Sequence, residues 1–226
     1  MSVYFITGID TDAGKTIVTG LLARSLARRG RRVITQKFIQ TGCRGISEDI
    51  LAHRRVMGIP PTEEDRLGTT CPYVFTYPAS PHLAAEMDGE RVDLARVAEA
   101  TRRLAASHDI VLLEGAGGLY VPVAPDYFTI DYARDAGHPL ILVTSARLGS
   151  INHTILSLEA CRQHGIRVAA LAYNAYPPAD APIDEGTRAF LRRYIAANLP
   201  GCAWIDIPLV DGDNYPDIPC PLFDEE

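Results

Sequence analysis

The chain has 226 residues, 47% of them hydrophobic and 22% charged, which suits one large α/β domain, or two small ones, with a real core. Its formal net charge of −6 argues against a nucleic-acid coat or a binder of anionic membranes, and no apolar run approaches the ~20 residues of a membrane span. Five cysteines (Cys43, Cys71, Cys161, Cys202, Cys220) show no C-x-x-C spacing, and the six histidines form no paired-ligand pattern. Free thiols in a reducing cytoplasm are therefore expected, without a disulfide framework or a zinc site. No basic segment precedes the first apolar run, so no signal peptide is expected.

That first run, Val3 to Ile6, reads as a strand, and it leads into Gly8-Ile9-Asp10-Thr11-Asp12-Ala13-Gly14-Lys15-Thr16. A helix is expected over Thr16–Arg29, where Ile17, Leu21, Leu22 and Leu26 repeat at helical spacing. Strand, glycine-bearing turn and helix form the setting of a phosphate-cradling loop, because backbone N–H groups and the helix dipole both favour an anion there. Five residues separate Gly8 from Gly14, one more than the strict G-x-x-x-x-G-K-[ST] pattern has. Next come a strand over Arg32–Ile39, a turn over Thr41–Gly45 and a short helix over Ser47–Met57 with Ser47 as its cap. Residues 60 to 81, rich in Pro, Thr and Tyr, read as irregular surface structure.

Val92–Ala106 has the pattern of an amphipathic helix, Asp109–Leu113 of a strand, and Gly115-Ala116-Gly117-Gly118 of a loop. Helix Phe128–Ala136, strand Pro139–Thr144, helix Ser150–His164, strand Ile166–Tyr173, helix Asp184–Asn198 and strand Ala203–Ile207 complete the series. The alternation predicts a single α/β domain over 1–226, built on a mostly parallel sheet with helices on both faces. A Pro-rich acidic tail occupies 210–226. Ligands of such sheets bind beyond the carboxyl ends of the strands, so residues at those ends are the candidates for chemistry.

Lysine occurs only twice, at Lys15 and Lys37; every other basic residue is arginine. Lys15 can reach the β- and γ-phosphates of a nucleotide, and the Thr16 hydroxyl can ligate Mg²⁺. Lys37 falls near the end of the second strand, on the same sheet edge. Glu114 ends the third apolar run, where a metal-binding carboxylate of a nucleoside triphosphatase belongs. Asp49 is a weaker candidate in the first turn of a helix. Leu148-Gly149-Ser150-Ile151-Asn152 opens a helix after a buried strand as a second anion site, with Ser150 as its cap. Asn174, just past a strand, serves equally as a turn residue or as a reader of an adenine edge.

Gly8–Thr16, Lys37, Ser80-Pro81-His82, Glu114–Gly118 and Leu148–His153 together resemble the dethiobiotin synthetase family, a set of P-loop NTPase-class ligases. The resemblance runs from residue 3 to about 209. It implies a cytoplasmic homodimer with shared active sites that uses ATP and Mg²⁺ and binds neither nucleic acid nor membrane. The implied reaction joins CO₂ (from bicarbonate) to 7,8-diaminopelargonate, phosphorylates the carbamate and closes a cyclic urea, giving dethiobiotin, ADP and phosphate. Asp12, Ala13, Gly14, Lys15, Thr16 and Ile17 would hold the triphosphate, with Thr16, Asp49 and Glu114 on the metal. Lys37, Lys15 and Thr11 would be catalytic, and Thr41 with Gly149, Ser150, Ile151 and Asn152 would bind the diamino acid. Gly115, Ala116, Gly117, Asn174, Ile207, Pro208 and Leu209 would line the nucleotide. The stretch from Lys37 to Asp49 is shorter than the family's usual one, which leaves Glu48 as an alternative metal ligand. Two other readings of the same loop stand beside this one: an ATP-driven dimeric switch of the partitioning type, and a related carboxylate-activating amide ligase.

Overall fold

The computed structural model describes residues 2–223. In chain order the elements are β1 (Ser2–Gly8), α1 (Lys15–Arg28), β2 (Val33–Lys37), α2 (Glu48–Met57), α3 (Glu63–Arg66), α4 (Pro81–Met87) and α5 (Leu94–Ser107). There follow β3 (Ile110–Gly118), β4 (Pro122–Ala124), β5 (Tyr127–Phe128), α6 (Thr129–Ala136), β6 (Leu140–Ser145), α7 (Ser150–Gln163), β7 (Val168–Asn174), α8 (Ala181–Asn198) and β8 (Ala203–Ile207). Six strands form one sheet in the order β2-β3-β1-β6-β7-β8, every neighbouring pair parallel. β4 and β5 make a separate antiparallel pair.

Both faces of the sheet are covered, which explains why its central strands read as unbroken apolar runs. Alternate residues of β1 serve the two faces: Tyr4 and Ile6 pack with Val18, Leu21, Leu22 and Leu26 of α1, while Phe5 faces Ile130 and Tyr132 of α6 and Leu158 of α7. The tail is part of the α1 face. Ile218, Cys220 and Phe223 are buried, the Phe223 ring meets Tyr4 edge-on at 4.9 Å, and the Ile218 N–H donates to Ser25 Oγ. Residues 224–226 of the expected tail lie outside the described residues.

Three expectations need correction. Residues 60–81 are not simply surface: Thr62 and Asp65 close a capping box around α3, and Asp65, Thr70, Cys71, Tyr73 and Phe75 are buried. Proline and threonine clusters signal turns but do not report whether a turn is covered. Residues 115–118 continue β3 rather than leaving it as a loop, and Gly118 pairs with Gly8. Glycine there serves close approach, since a Cβ on Gly115 would lie 2.9 Å from the Phe5 ring. Finally, Ser150 does not cap α7. Gly149 is the cap, in the left-handed region at φ 97°, and Ser150 Oγ is turned inward to Ser145 Oγ, 2.8 Å away.

Candidate active site

The parallel sheet brings the carboxyl ends of β1, β2, β3, β6 and β7 to one edge, and the expected chemistry gathers there. The turn after β1 runs straight into α1. Its last residue, Gly14, sits at φ 85°, and a Cβ on it would fall 2.1 Å from Asn174 Nδ2, so only glycine fits. Asn174, the last residue of β7, donates from Nδ2 to the Ala13 carbonyl at 3.0 Å and accepts from the Tyr176 N–H at 3.1 Å. It braces the loop from the far side. Lys15 is buried, and its ammonium folds back over the loop to donate to the Asp10 and Thr11 carbonyls at 2.9 and 3.0 Å. Burial pulls this amine down to about 8, against the attraction of Glu114. A cavity of about 490 Å³ opens above the loop, walled by Arg147, Tyr176 and Pro177. Arg147 Nη2 is paired with Asp10 Oδ2 at 3.0 Å.

Below the loop lies a cluster of buried charge. Lys37 and Glu114 stand directly opposite each other on β2 and β3. The Lys37 ammonium donates to Glu114 Oε1 at 2.8 Å and to the Gly115 carbonyl at 3.1 Å, and it also pairs with Asp49. Thr16 Oγ1 lies 3.1 Å from both Asp49 Oδ1 and Glu114 Oε1. Burial would push the Glu114 carboxyl up, but the Lys37 ammonium and a hydrogen bond from His53 hold it well below the usual carboxylate range. Burial likewise opposes the Lys37 charge, yet Glu114 and Asp49 raise that amine above its ordinary value. Gln40 sets Asp49 in place: its Oε1 accepts from Ser47 Oγ at 2.6 Å and from the Asp49 N–H at 3.3 Å, at the first turn of α2.

Asp49, not Glu48, reaches this cluster, while Glu48 is exposed. Thr16, Asp49 and Glu114 turn one hydroxyl and two carboxylates toward a common point. Hard oxygen donors, too few to fill six positions, suit Mg²⁺, which keeps waters and takes further oxygens from phosphate. The donor set fits that ion.

Other expected residues are spread more widely. Ala13 is buried, Ile17 half-buried, and Thr11 and Asp12 exposed at the cavity mouth. Ala116 and Gly117 lie half-buried at the end of β3. Thr41 is half-buried in a loop held by the Gly42 N–H bond to the Tyr77 carbonyl. Ile207 is wholly buried in the α1-side core, leaving Pro208 and Leu209 at the surface. Gly149 and Asn152 are exposed and Ile151 half-buried at the start of α7. Sequence reasoning missed His53, Thr35, Arg54 and Arg147. One signal was available for His53, which falls one helical turn after Asp49 and so shares its face of α2.

A phosphate loop at the first strand of a wholly parallel sheet, with Lys, Thr and a facing carboxylate, defines a P-loop nucleoside-triphosphatase domain. Solved structures agree on the fold. Chloroplast FtsY from Physcomitrella patens superposes with a TM-score of 0.55 at 16% identity, and the signal recognition particle receptor FtsY from Elizabethkingia anophelis with GDP at 0.56 and 17%. Each covers 96% of this chain, which spans 60% of either structure's length. The family model described as an AAA domain matches residues 2–203.

Curated relatives are nearer. The ATP-dependent dethiobiotin synthetase BioD of Chlorobaculum tepidum is 54% identical over 91% of this chain and 84% of its own length. The ATP-dependent dethiobiotin synthetase BioD 2 of Pasteurella multocida is 53% identical over 88% and 93%. The chain belongs to the ATP-dependent dethiobiotin synthetase family. Among the described residues no helix is long and apolar enough to cross a membrane.

Proposed function

We propose that the chain uses ATP to carboxylate 7,8-diaminopelargonate and close it to dethiobiotin. The observation that carries this reading is Lys37, an ammonium buried among Glu114, Asp49 and the Gly115 carbonyl at the strand ends beside the loop. In the proposed sequence one amine adds to CO₂ and loses a proton, giving a carbamate. A carbamate oxygen then attacks the γ-phosphorus, ADP leaves, and the second amine attacks the activated carbonyl, expelling phosphate and losing its proton.

Phosphoryl transfer asks mainly for position and charge. Asp12 to Ile17 hold the triphosphate at the start of α1, with Gly115 to Gly117 alongside. Lys15 neutralises the transferring group, the Thr11 carbonyl steadies that ammonium, and Lys37 faces the carbamate. Thr16, Asp49 and Glu114 would hold Mg²⁺, which would supply charge neutralisation of the phosphates. Thr41 bonds the diamino acid, while Asn174, Ile207, Pro208 and Leu209 border the base.

The active unit is a homodimer in which residues 149–152 of one protomer receive the substrate carboxylate of the other. Exposed Leu148, Leu156 and Tyr120, near the start of α7 and its outer face, support an apolar contact there. Release of phosphate should require diaminopelargonate and bicarbonate together, with a product of dethiobiotin mass; release independent of the diamine overturns the reading. Asn152→Glu at the exposed helix start should raise the diamine KM. Mixing Asn152→Glu with Lys37→Gln chains should restore about a quarter of wild-type activity if sites are shared, and none if each chain builds its own.

A further inference from the structure

His53 is completely buried on α2 and belongs to no ligand set named above. Its Nε2 lies 2.8 Å from Glu114 Oε2, and its Nδ1 lies 3.0 Å from Thr35 Oγ1. Arg54, also buried, donates from Nη1 to that same Thr35 oxygen at 2.8 Å and from Nε and Nη2 to both oxygens of Asp65, each at 2.8 Å. Asp65 is held in turn by the Thr70 hydroxyl at 2.7 Å and the Thr62 N–H at 2.8 Å.

The direction of these bonds follows from what each group can do. Arginine only donates, so Thr35 Oγ1 accepts from it, and toward the neutral Nε2–H tautomer of His53 the Thr35 hydroxyl donates to Nδ1. A carboxylate only accepts, so His53 Nε2–H donates to Glu114. The two Glu114 oxygens thus have separate tasks. Oε1 faces Thr16 and Lys37, while Oε2 is engaged by His53. Without that N–H, Oε2 would be left buried and unsatisfied, and the carboxylate would gain by rotating away from its present plane.

We infer that His53, oriented by Thr35 and Arg54, is a positioning residue that fixes the Glu114 carboxylate so that Oε1 is presented to Thr16 and the metal. The inference rests on the proposal that Glu114 ligates Mg²⁺. Partners one shell out from a metal typically set affinity or activity by about 10–100-fold. His53 does not line the nucleotide cavity, and its ring hydrogen bonds go to Thr35 and Glu114, so its effect is expected on the metal rather than on the nucleotide.

The test is a Mn²⁺ titration, followed by electron paramagnetic resonance, of the full chain saturated with a non-hydrolysable ATP analogue. His53→Leu keeps a buried apolar volume and removes the donor; it should weaken Mn²⁺ binding about 10-fold or more. The analogue's affinity without metal should stay within about twofold, because the phosphate loop is untouched. His53→Gln, whose amide can donate to Glu114, should recover most of the loss. Thr35→Val should shift metal affinity in the same direction by less, and add nothing in the His53→Leu background. A purely structural role predicts lower melting temperatures with unchanged metal affinity in both variants, and that result overturns the inference. Should His53→Leu fail to fold, Thr35→Val carries the same test alone. Glu114→Gln separates the two levels: if it loses Mn²⁺ while His53→Leu and Thr35→Val bind normally, only the positioning role fails. If Glu114→Gln also binds normally, the metal-site proposal falls, and the positioning role with it.

Discussion

Two arrays of opposite charges stand at different depths in this molecule. At the outer edge of the sheet, Arg188 pairs with Asp184 and Asp206, and Arg192 with Asp206, with their guanidinium groups over the Tyr173 and Trp204 rings at 4.3 and 4.6 Å. Beneath the phosphate loop, Lys37, Glu114, His53, Arg54 and Asp65 are buried, with half-buried Asp49 at their margin; Lys37 pairs with Glu114 and Asp49, His53 with Glu114, and Arg54 with Asp65. The chemical groups are alike, yet the physics differs. At the edge Arg188 is half-buried, while the Arg192–Asp206 pair is exposed on both sides and contributes about 0–1 kcal/mol. Charges under the loop have lost their hydration and must be matched by partners, so removing one leaves the other uncompensated. Burial makes that array costly to break.

The sharpest way to break the comparison is Asp65→Asn, which strands the Arg54 guanidinium in the core. It should destabilise the fold by about 3–5 kcal/mol in urea unfolding at neutral pH. Burial opposes the Asp65 charge, but Arg54 more than offsets it and holds the carboxyl below its ordinary value. A depressed folded-state pKa gives stability that is fully present above the unfolded value of about 3.9 and is lost as pH falls through the folded value. The difference between wild type and Asp65→Asn should therefore be widest above about pH 4 and narrow on further acidification.

Lys37→Gln should come next: if Lys37 faces the carbamate as proposed, kcat should fall by roughly 10²–10³-fold while nucleotide titration shows affinity nearly intact. Lys37→Arg should restore little, since a planar guanidinium cannot occupy the compact space between Glu114 and Asp49. Asn174→Ala removes the brace on the Ala13 carbonyl and should cost nucleotide binding about 1 kcal/mol, measured by calorimetry. The smallest effect belongs to the edge. Arg192→Ala should change unfolding stability by no more than about 1 kcal/mol, and by less in high salt. A change there as large as that of Asp65→Asn would erase the distinction between the arrays.

How much of this could be read from the residues alone depended on distance along the chain. The phosphate loop was legible because its parts are contiguous: an apolar strand, Gly14, Lys15, Thr16 and a helix at regular spacing. The α/β alternation was legible for the same reason, since periodicity is a local property. Lys37 stood out as one of only two lysines, near a strand end, and Glu114 as the carboxylate that ends an apolar run. Their pairing was beyond reach until β2 was set beside β3, with Lys37 opposite Glu114.

The rest was decided by tertiary structure. Asp65 lies in a stretch whose Pro and Thr content signals turns, and only packing against Arg54 and Thr70 makes it a buried anion. Ser150 has the right chemistry for a helix cap, but Ser145 takes its hydroxyl and Gly149 takes the cap. Spacing puts His53 on the Asp49 face of α2, but its role is visible only when Thr35 on one side and Glu114 on the other engage its ring. Local sequence dictates which backbone forms, because dihedral preference and periodicity act over a few residues. Which side chains lose water together depends on contacts between residues far apart in the chain, and that loss of water is what gives the buried charges their strength.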